Sequence, residues 1–369
     1  MKTCIVHEYL IDFGGAEQVL KGLLELWPNS PIFTLVYDLN GNCKEIIQST
    51  HVIGSFLNKA PFSKRRYRLY LPLMPLAIEQ FDLSGYDIVI SASHAIAKGV
   101  ITGPDQMHIG YIHTPIRYAW DMQHAYLSKA GLEKGVRGFI TRLLLHYMRI
   151  WDMRTTAGVD HYIANSHFVA RRIKKLYKRE ATVIHPPVSL ERFSIGEKKE
   201  NFYVTVSRLV PYKKVDLIVR AFNQLPDRKL VVIGDGPELN YLKRIAGSHI
   251  TFLGFQNDGV IEDTLQRAKA FVYAAQEDFG IVPVEAQACG TPVIAYGKGG
   301  VLETIIPGQT GYFFYEQNEE ALIESVEKFE RSPSLNPNDI RKNAERFSKG
   351  RFVCEMREFV EEKAKEYFG

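Results

Sequence analysis

The sequence predicts an α/β protein of two Rossmann-like, doubly wound domains facing a cleft. Three observations carry that expectation. Short apolar, β-branched runs alternate with amphipathic stretches along nearly the whole chain, the order that builds parallel sheets with helices on both faces. The alternation pauses once, at residues 185–201, where HPPVSLERFSIGEKKEN sets two prolines and a charged, glycine-containing run after a strand. A length of 369 residues exceeds one average domain and gives each half enough chain for its own core.

In the first half, CIVH (4–7), DIVIS (87–91), HIGYIH (108–113), HYIAN (161–165) and ATVIH (181–185) read as buried strands. In the second half the strands are FYVTVS (202–207), KLVVIG (229–234), ITFLG (250–254), AFVYAA (270–275), TPVIAY (291–296) and TGYFF (310–314). Between them VDLIVRAFNQL, PELNYLKRIAG and PVEAQACG read as helices. The expected domains are 1–187 and 188–345. Residues 346–369 form a charged terminal helix, expected to cross back to the N-terminal domain with Phe347, Phe352, Met356, Phe359 and Val360 as its apolar stripe.

Composition sets limits on function. Hydrophobic content of 46% and charged content of 24% are ordinary for a soluble protein. A net charge of +4, from 46 basic and 42 acidic residues, is too mild to argue for nucleic acid, and none is expected as a partner. Cys4, Cys43, Cys289 and Cys354 have no metal-site or CxxC spacing. The start, MKTCIVHEYL, does not read as a signal peptide, and no run reaches the roughly 20 apolar residues of a membrane span. The expected location is the cytoplasm.

Four clusters could carry chemistry. In AAQEDFGIVPVEAQACGTPVIA (274–295), a strand gives way through EDFGIV to a helix whose early turn holds Pro283 and whose stop is Gly290. The loop's backbone N–H groups lack helical partners, the helix dipole is positive there, and Gly280 allows close approach; such a loop can hold a phosphate or sugar hydroxyls. Glu285, a turn into the helix, suits a vicinal diol, and Glu277 stands at the other lip. Either carboxylate could instead be a plain loop or helix-dipole charge. In VSRLVPYKKVD (206–216), Arg208, Lys213 and Lys214 follow a strand and suit a diphosphate leaving group or a solvated face. FGGAEQVL (13–20) offers Gly14 and Gly15 for close backbone approach, or simply a turn. HTPIRYAWD (113–121) gathers His113, Arg117, Tyr118, Trp120 and Asp121 after a strand. GDGPEL (234–239) and GKGG (297–300) also follow strands and could line a nucleotide.

In this order, GGAE, HTPIRYAWD, IANSHFVARRI, HPPVSLERF, SRLVPYKKVD, GDGPE, EDFGIVPVEAQACGTPVIA, GGVLETI and GQTGYFF resemble the retaining GT-B glycosyltransferases of family four. The resemblance covers roughly residues 1–350 and is strongest to the O-antigen mannosyltransferase branch. It implies an N-terminal acceptor-binding and a C-terminal nucleotide-sugar-binding domain. Arg208, Lys213 and Gly15 match groups at the donor diphosphate. Glu285 matches the ribose-binding glutamate, and Asp278, Phe279, Gly280, Ile281 and Val282 match the loop whose backbone holds sugar and phosphate. His113 and Glu277 match groups at the reacting centre. Leu253, Gly254 and Phe255 match the base platform, and Arg117, Tyr118, Trp120 and Asp121 the acceptor side. Lys214 stands where many members have glycine, Ser189 where many have aspartate, and Ser207 where glycine is frequent.

The implied reaction is retaining transfer of a hexose, mannose from GDP-mannose, to a lipid-linked glycan in cell-surface polysaccharide synthesis. A UDP-hexose donor and a catalytically silent sugar-nucleotide scaffold are the alternatives. The resemblance implies no cofactor and no metal, and no DxD-like acidic pair is suitably placed. Residues 56–78 interleave Lys64, Arg65, Arg66 and Arg68 with Phe62, Tyr67 and Tyr70, which suits an anionic membrane surface, here the inner face, or helix packing with snorkelling arginines. A missing GxGxxG speaks against a nicotinamide oxidoreductase.

Overall fold

The computed structural model describes the chain apart from residues 125 and 129. It divides into two units, residues 1–187 with 352–369, and residues 188–351.

The first unit is a parallel sheet of seven strands: β1 (Thr3–Leu10), β2 (Ile32–Tyr37), β3 (Val52–Gly54), β4 (Ile88–Ser93), β5 (Met107–Ile112), β6 (His161–Ala164) and β7 (Thr182–Val183). Their spatial order is β3-β2-β1-β4-β5-β6-β7. β1, β2, β4 and β5 are buried nearly throughout, as strands covered on both faces must be. β2 and β3 lie outside the expected set, although IFTLVY between Pro31 and Asp38 carries the strand composition. One sheet face packs Cys4, Val6, Phe33 and Val89 against Leu145, Met148 and Trp151 of the helix Gly135–Thr155, and against residues of the segment 56–79. The other packs Ile5, Ile32 and Ile90 against Val19, Leu20 and Leu23 of the helix Gly15–Leu26. The terminal helix Lys349–Phe368 adds Phe352, Met356, Val360 and Ala364 to that same face.

The second unit is a parallel sheet of six strands, each at a position expected from sequence: β8 (Phe202–Val206), β9 (Lys229–Ile233), β10 (Ile250–Gly254), β11 (Ala270–Tyr273), β12 (Val293–Tyr296) and β13 (Gly311–Phe314). The order is β10-β9-β8-β11-β12-β13, with an apolar core on each face. The strand order reverses between β8 and β11 here, and between β1 and β4 in the first unit. Ligands of such sheets gather at the carboxyl ends flanking the reversal.

Candidate functional site

At the reversal of the second unit, β8 ends at Val206 and releases Ser207 and Arg208. The Arg208 side chain is exposed and pairs with no described residue. The backbone beneath it is fixed: Ser207 N–H donates to the Ile233 carbonyl (3.0 Å) and Leu209 N–H to that of Asp235 (2.8 Å). A Cβ on Gly234 would stand 1.8 Å from the Ser207 oxygen, and one on Gly236 2.4 Å from the Leu209 oxygen. The glycines of GDGPEL therefore press the Arg208 loop into place. Beyond it the turn Pro211–Lys213 leads through Lys214 into the helix Val215–Asn223. Lys214 has φ of 57°, the left-handed conformation glycine takes without strain. A lysine in this conformation costs about 1 kcal/mol relative to glycine.

β11 contributes the facing loop. Glu277 bridges to Gly299, whose neighbour Gly300 donates its N–H to the Glu277 carbonyl at 2.9 Å. The Glu277 carboxylate forms an ion pair with Lys213 and accepts a hydrogen bond from the Tyr273 hydroxyl. Burial and the charge of Glu277 push the Tyr273 phenol well above its ordinary value. Gly280 (φ 87°) caps the helix Ile281–Ala288. The helix begins two residues before Pro283, because the left-handed Gly280 turns the chain there. The N–H groups of Ile281 and Val282 have no intrahelical acceptor, and Pro283 brings none. Phe279 is buried and packs edge-on against Phe347 at 5.4 Å, so its side chain belongs to the core.

Glu285 lies a turn into this helix, half-buried, and its carboxylate makes no hydrogen bond with a described residue. Burial pushes its carboxyl up to about 7; Arg192 opposes the rise and Asp258 adds to it. Arg192 and Asp258 form an ion pair at 3.0 Å. The Arg192 Nε is buried without a hydrogen-bond partner among the described residues. On the β10 edge, Leu253 and Phe255 are exposed around Gly254 (φ 71°), and the Gly254 carbonyl accepts the Gly234 N–H at 2.8 Å. The strand-end loops thus bring Arg208, Lys213, Glu277, the 278–282 backbone and Glu285 to one edge of the sheet. Leu253–Phe255 continue that edge.

The reversal of the first unit is built differently. Glu8 is fully buried. Its Oε1 accepts from the Ser93 hydroxyl (3.1 Å) and from the N–H groups of His94 (2.9 Å), Ala95, Ile96 (2.6 Å) and Ala97 (3.3 Å). His94 Nε2 closes on Oε2 at 3.1 Å. Backbone N–H nests of this kind hold phosphates in dinucleotide-binding halves; here the protein's own carboxylate fills it. In GGAE, Gly14 N–H donates to Glu17 Oε2 (2.8 Å), and Glu17 Oε1 meets His7 Nε2 (3.1 Å). Burial raises the Glu17 carboxyl, but His7 outweighs it and holds the group below its ordinary range. Glu17 thereby fixes the turn that presents Gly15, the first residue of its helix.

His113 ends β5. Its N–H donates to the Ser93 carbonyl (2.8 Å), and the Asn165 side chain donates to its own carbonyl (2.9 Å). Its Nε2 is buried with no hydrogen-bond partner among the described residues. Burial, with His94 and His7 nearby, holds the imidazole well below its ordinary value, so it is neutral at pH 7. Arg172 grips the following loop through Thr114 and Asp121, the latter at 2.7 Å. Trp120 donates to Asp152 (2.7 Å), which is paired with the buried Lys98 (2.8 Å). Trp120 and Asp121 thus hold the loop that Arg117 and Tyr118, both half-buried, share.

Sequence reasoning missed Tyr273, Arg192, Asp258, Glu8, Glu17 and Arg172. Three of them stood inside quoted motifs, Glu17 in GGAE, Arg172 in IANSHFVARRI and Arg192 in HPPVSLERF.

Two parallel-sheet Rossmann-like units, one with an open reversal furnished with cations and a helix N-terminus, make up the GT-B architecture. Residues 187–347 match "Glycosyl transferases group 1" and residues 13–192 match "Glycosyltransferase Family 4". The chain belongs to this glycosyltransferase family. Among curated proteins it is similar to D-inositol 3-phosphate glycosyltransferase of Mycobacterium leprae, 30% identical over 46% of this chain and 45% of that one. It is also similar to GDP-mannose-dependent alpha-(1-6)-phosphatidylinositol monomannoside mannosyltransferase of Mycolicibacterium smegmatis, 36% identical over 33% and 36%. The matched stretch thus spans about half or less of these relatives' lengths. Among solved structures, Anabaena HepE in complex with UDP and glucose shares the fold with a TM-score of 0.69 at 18% identity, over 97% of this chain and 99% of that one.

Proposed function

We propose that the protein is a retaining glycosyltransferase that moves mannose from GDP-mannose to a lipid-linked glycan, in cell-surface polysaccharide synthesis at the inner face of the membrane. The observation that carries the donor half of this reading is the open reversal of the second unit. There Arg208 pairs with no described residue, and the N-terminus of the helix Ile281–Ala288 has N–H groups with no intrahelical acceptor. The similarity to a GDP-mannose-dependent enzyme supports the choice of donor.

In this reaction the bond from the anomeric carbon to the leaving phosphate oxygen breaks and the nucleoside diphosphate departs. The acceptor hydroxyl oxygen bonds to the same face of that carbon, and its proton passes to the leaving phosphate oxygen. Arg208, Lys213 and the helix N-terminus stabilise the charge growing on the diphosphate. Lys213 exchanges its contact with Glu277 for the phosphate, which frees that carboxylate to position the sugar. Glu285 holds the ribose diol, Leu253–Phe255 the base. Gly15 gives its backbone to the phosphates, and neutral His113 offers a hydrogen bond at the reacting centre. Arg117, Tyr118, Trp120 and Asp121 form the acceptor side. No metal is needed, because the two cations supply the positive charge.

The test is a thermal-shift panel without metal: GDP, UDP, ADP, GDP-mannose, UDP-glucose, UDP-N-acetylglucosamine and NAD. A ligand that binds only the folded state raises the melting temperature with the logarithm of its concentration. Selective stabilisation by GDP and GDP-mannose is the expected outcome. A UDP-selective response would replace the donor and keep the mechanism. Binding without turnover across acceptors would favour a silent scaffold, and no response at all would sink the transferase reading.

A further inference from the structure

The helix Gly135–Thr155 buries one face, with Leu145, Met148, Trp151 and Asp152 in or against the core of the first unit. On its opposite side Val136, Phe139, Ile140, Leu143, Tyr147 and Ile150 are each between 45% and 76% exposed. These positions recur at intervals of three, one, three, four and three residues, which holds them within about a third of the helix circumference. The result is an unbroken apolar stripe about 20 Å long. Scattered exposed apolar residues are ordinary, but a continuous row of six large ones is not. No helix of the described residues is long and apolar enough to cross a membrane.

The neighbouring surface carries a matching charge. The segment 56–79 packs on the same sheet face as this helix, and Trp151 and Arg154 both bond to Glu79 at its end. Residues 56–78 hold five Lys or Arg and no Asp or Glu. Arg65, Arg66 and Arg68 are exposed there, with Leu69 and Leu73 exposed beside them. On the helix Arg137 is exposed at the edge of the stripe, and the one acid, Asp152, is buried in its pair with Lys98. An apolar stripe next to a basic segment free of acids complements a sheet of anionic headgroups over acyl chains.

We propose that the helix Gly135–Thr155 lies in the plane of an anionic bilayer surface, its stripe below the headgroups and the basic segment 59–68 against them. The proposal rests on the lipid-linked acceptor reading and names the element that brings the first unit to such an acceptor. Vesicle sedimentation of the full chain tests it, with phosphatidylcholine alone and with added phosphatidylglycerol. The wild type is expected to sediment with the phosphatidylglycerol vesicles at low salt and to be released by high salt. The double variant Phe139→Glu, Leu143→Glu should lose at least about tenfold in bound fraction. Both side chains are exposed, so its melting temperature should match the wild type. Arg65→Glu with Arg66→Glu should weaken binding and flatten its salt dependence. Three results would overturn the proposal: no wild-type binding, unaltered binding by the double variant, or a lipid-free dimer that the variant abolishes. GDP thermal shifts measured on the same samples report the donor reading separately.

Discussion

Glu285 sits a turn inside the helix Ile281–Ala288 with no hydrogen-bonding side chain to receive it, and burial lifts its carboxyl from 4.5 to about 7. In the unfolded chain the proton leaves near the ordinary value. Between those limits the folded protein therefore binds more protons than the unfolded one, and stability falls as pH rises from about 4.5 to 7. The penalty above pH 7 is about 3 kcal/mol before screening, and less to the extent that solvent reaches the carboxylate. Glu285→Gln should accordingly raise the melting temperature at pH 8 and leave it nearly unchanged at pH 4.5, as thermal melts at the two values will show. The same variant should lose at least about tenfold in nucleotide affinity, because an amide accepts fewer hydrogen bonds from a diol than a carboxylate. Equal shifts at both pH values would mean that Glu285 is not the titrating group. Its eight-residue spacing from Glu277 was legible in the sequence, as were Arg208 and Lys213. The charges that modify the effect of burial, Arg192 and Asp258, were not, since only folding brings a residue of the 3₁₀ turn Leu190–Arg192 beside a helix that starts at Ile281.

Whole elements show the same division. All six strands of the second unit could be read from apolar runs, because buried parallel strands leave their composition in the sequence. The glycines between them were legible only as glycines. The sequence lets GKGG line a nucleotide; the fold gives its glycines a packing role as well, since a Cβ on Gly300 would fall 2.3 Å from the Phe279 Cα and 2.4 Å from the Asp278 oxygen, and one on Gly299 2.3 Å from the Glu277 oxygen. These glycines let the loop after β12 lie flat against the loop after β11, and the bond from Gly300 N–H to Glu277 O sets their register. Gly300→Ala must push the 277–280 loop outward. The cost in stability should be about 1–3 kcal/mol, as for other overpacked sites. Turnover should fall further than stability alone explains, since a shift of about 1 Å at a positioning loop can cost a hundredfold. Denaturant melts and steady-state kinetics on one preparation separate the two effects; a stability loss with unchanged turnover would show that the loop does not position substrate.

On the scale of the whole molecule, the chain leaves the first unit after Pro187, completes the second between residues 188 and 351, and returns with Phe352. The returning helix is part of the first unit's core. Phe352 and Met356 are fully buried, Val360 and Ala364 nearly so, and the Tyr367 hydroxyl donates to the carbonyls of Pro104 (2.8 Å) and Gln106 (3.1 Å). Gly22 marks how close the approach is, since a Cβ there would lie 2.6 Å from the Phe352 ring. Burying Phe, Met and Val side chains contributes roughly 1.5–3 kcal/mol each. Three of them approach the entire 5–15 kcal/mol margin of a typical domain. Ending the chain after residue 348 should therefore melt the first unit selectively. The second unit keeps all its strands and both of its apolar cores. Calorimetry of the truncated chain should show one remaining transition, while the nucleotide shift that belongs to the second unit persists. A single shared transition lost as a whole would instead mean that the two units fold as one cooperative body, with the terminal helix as the last piece of both.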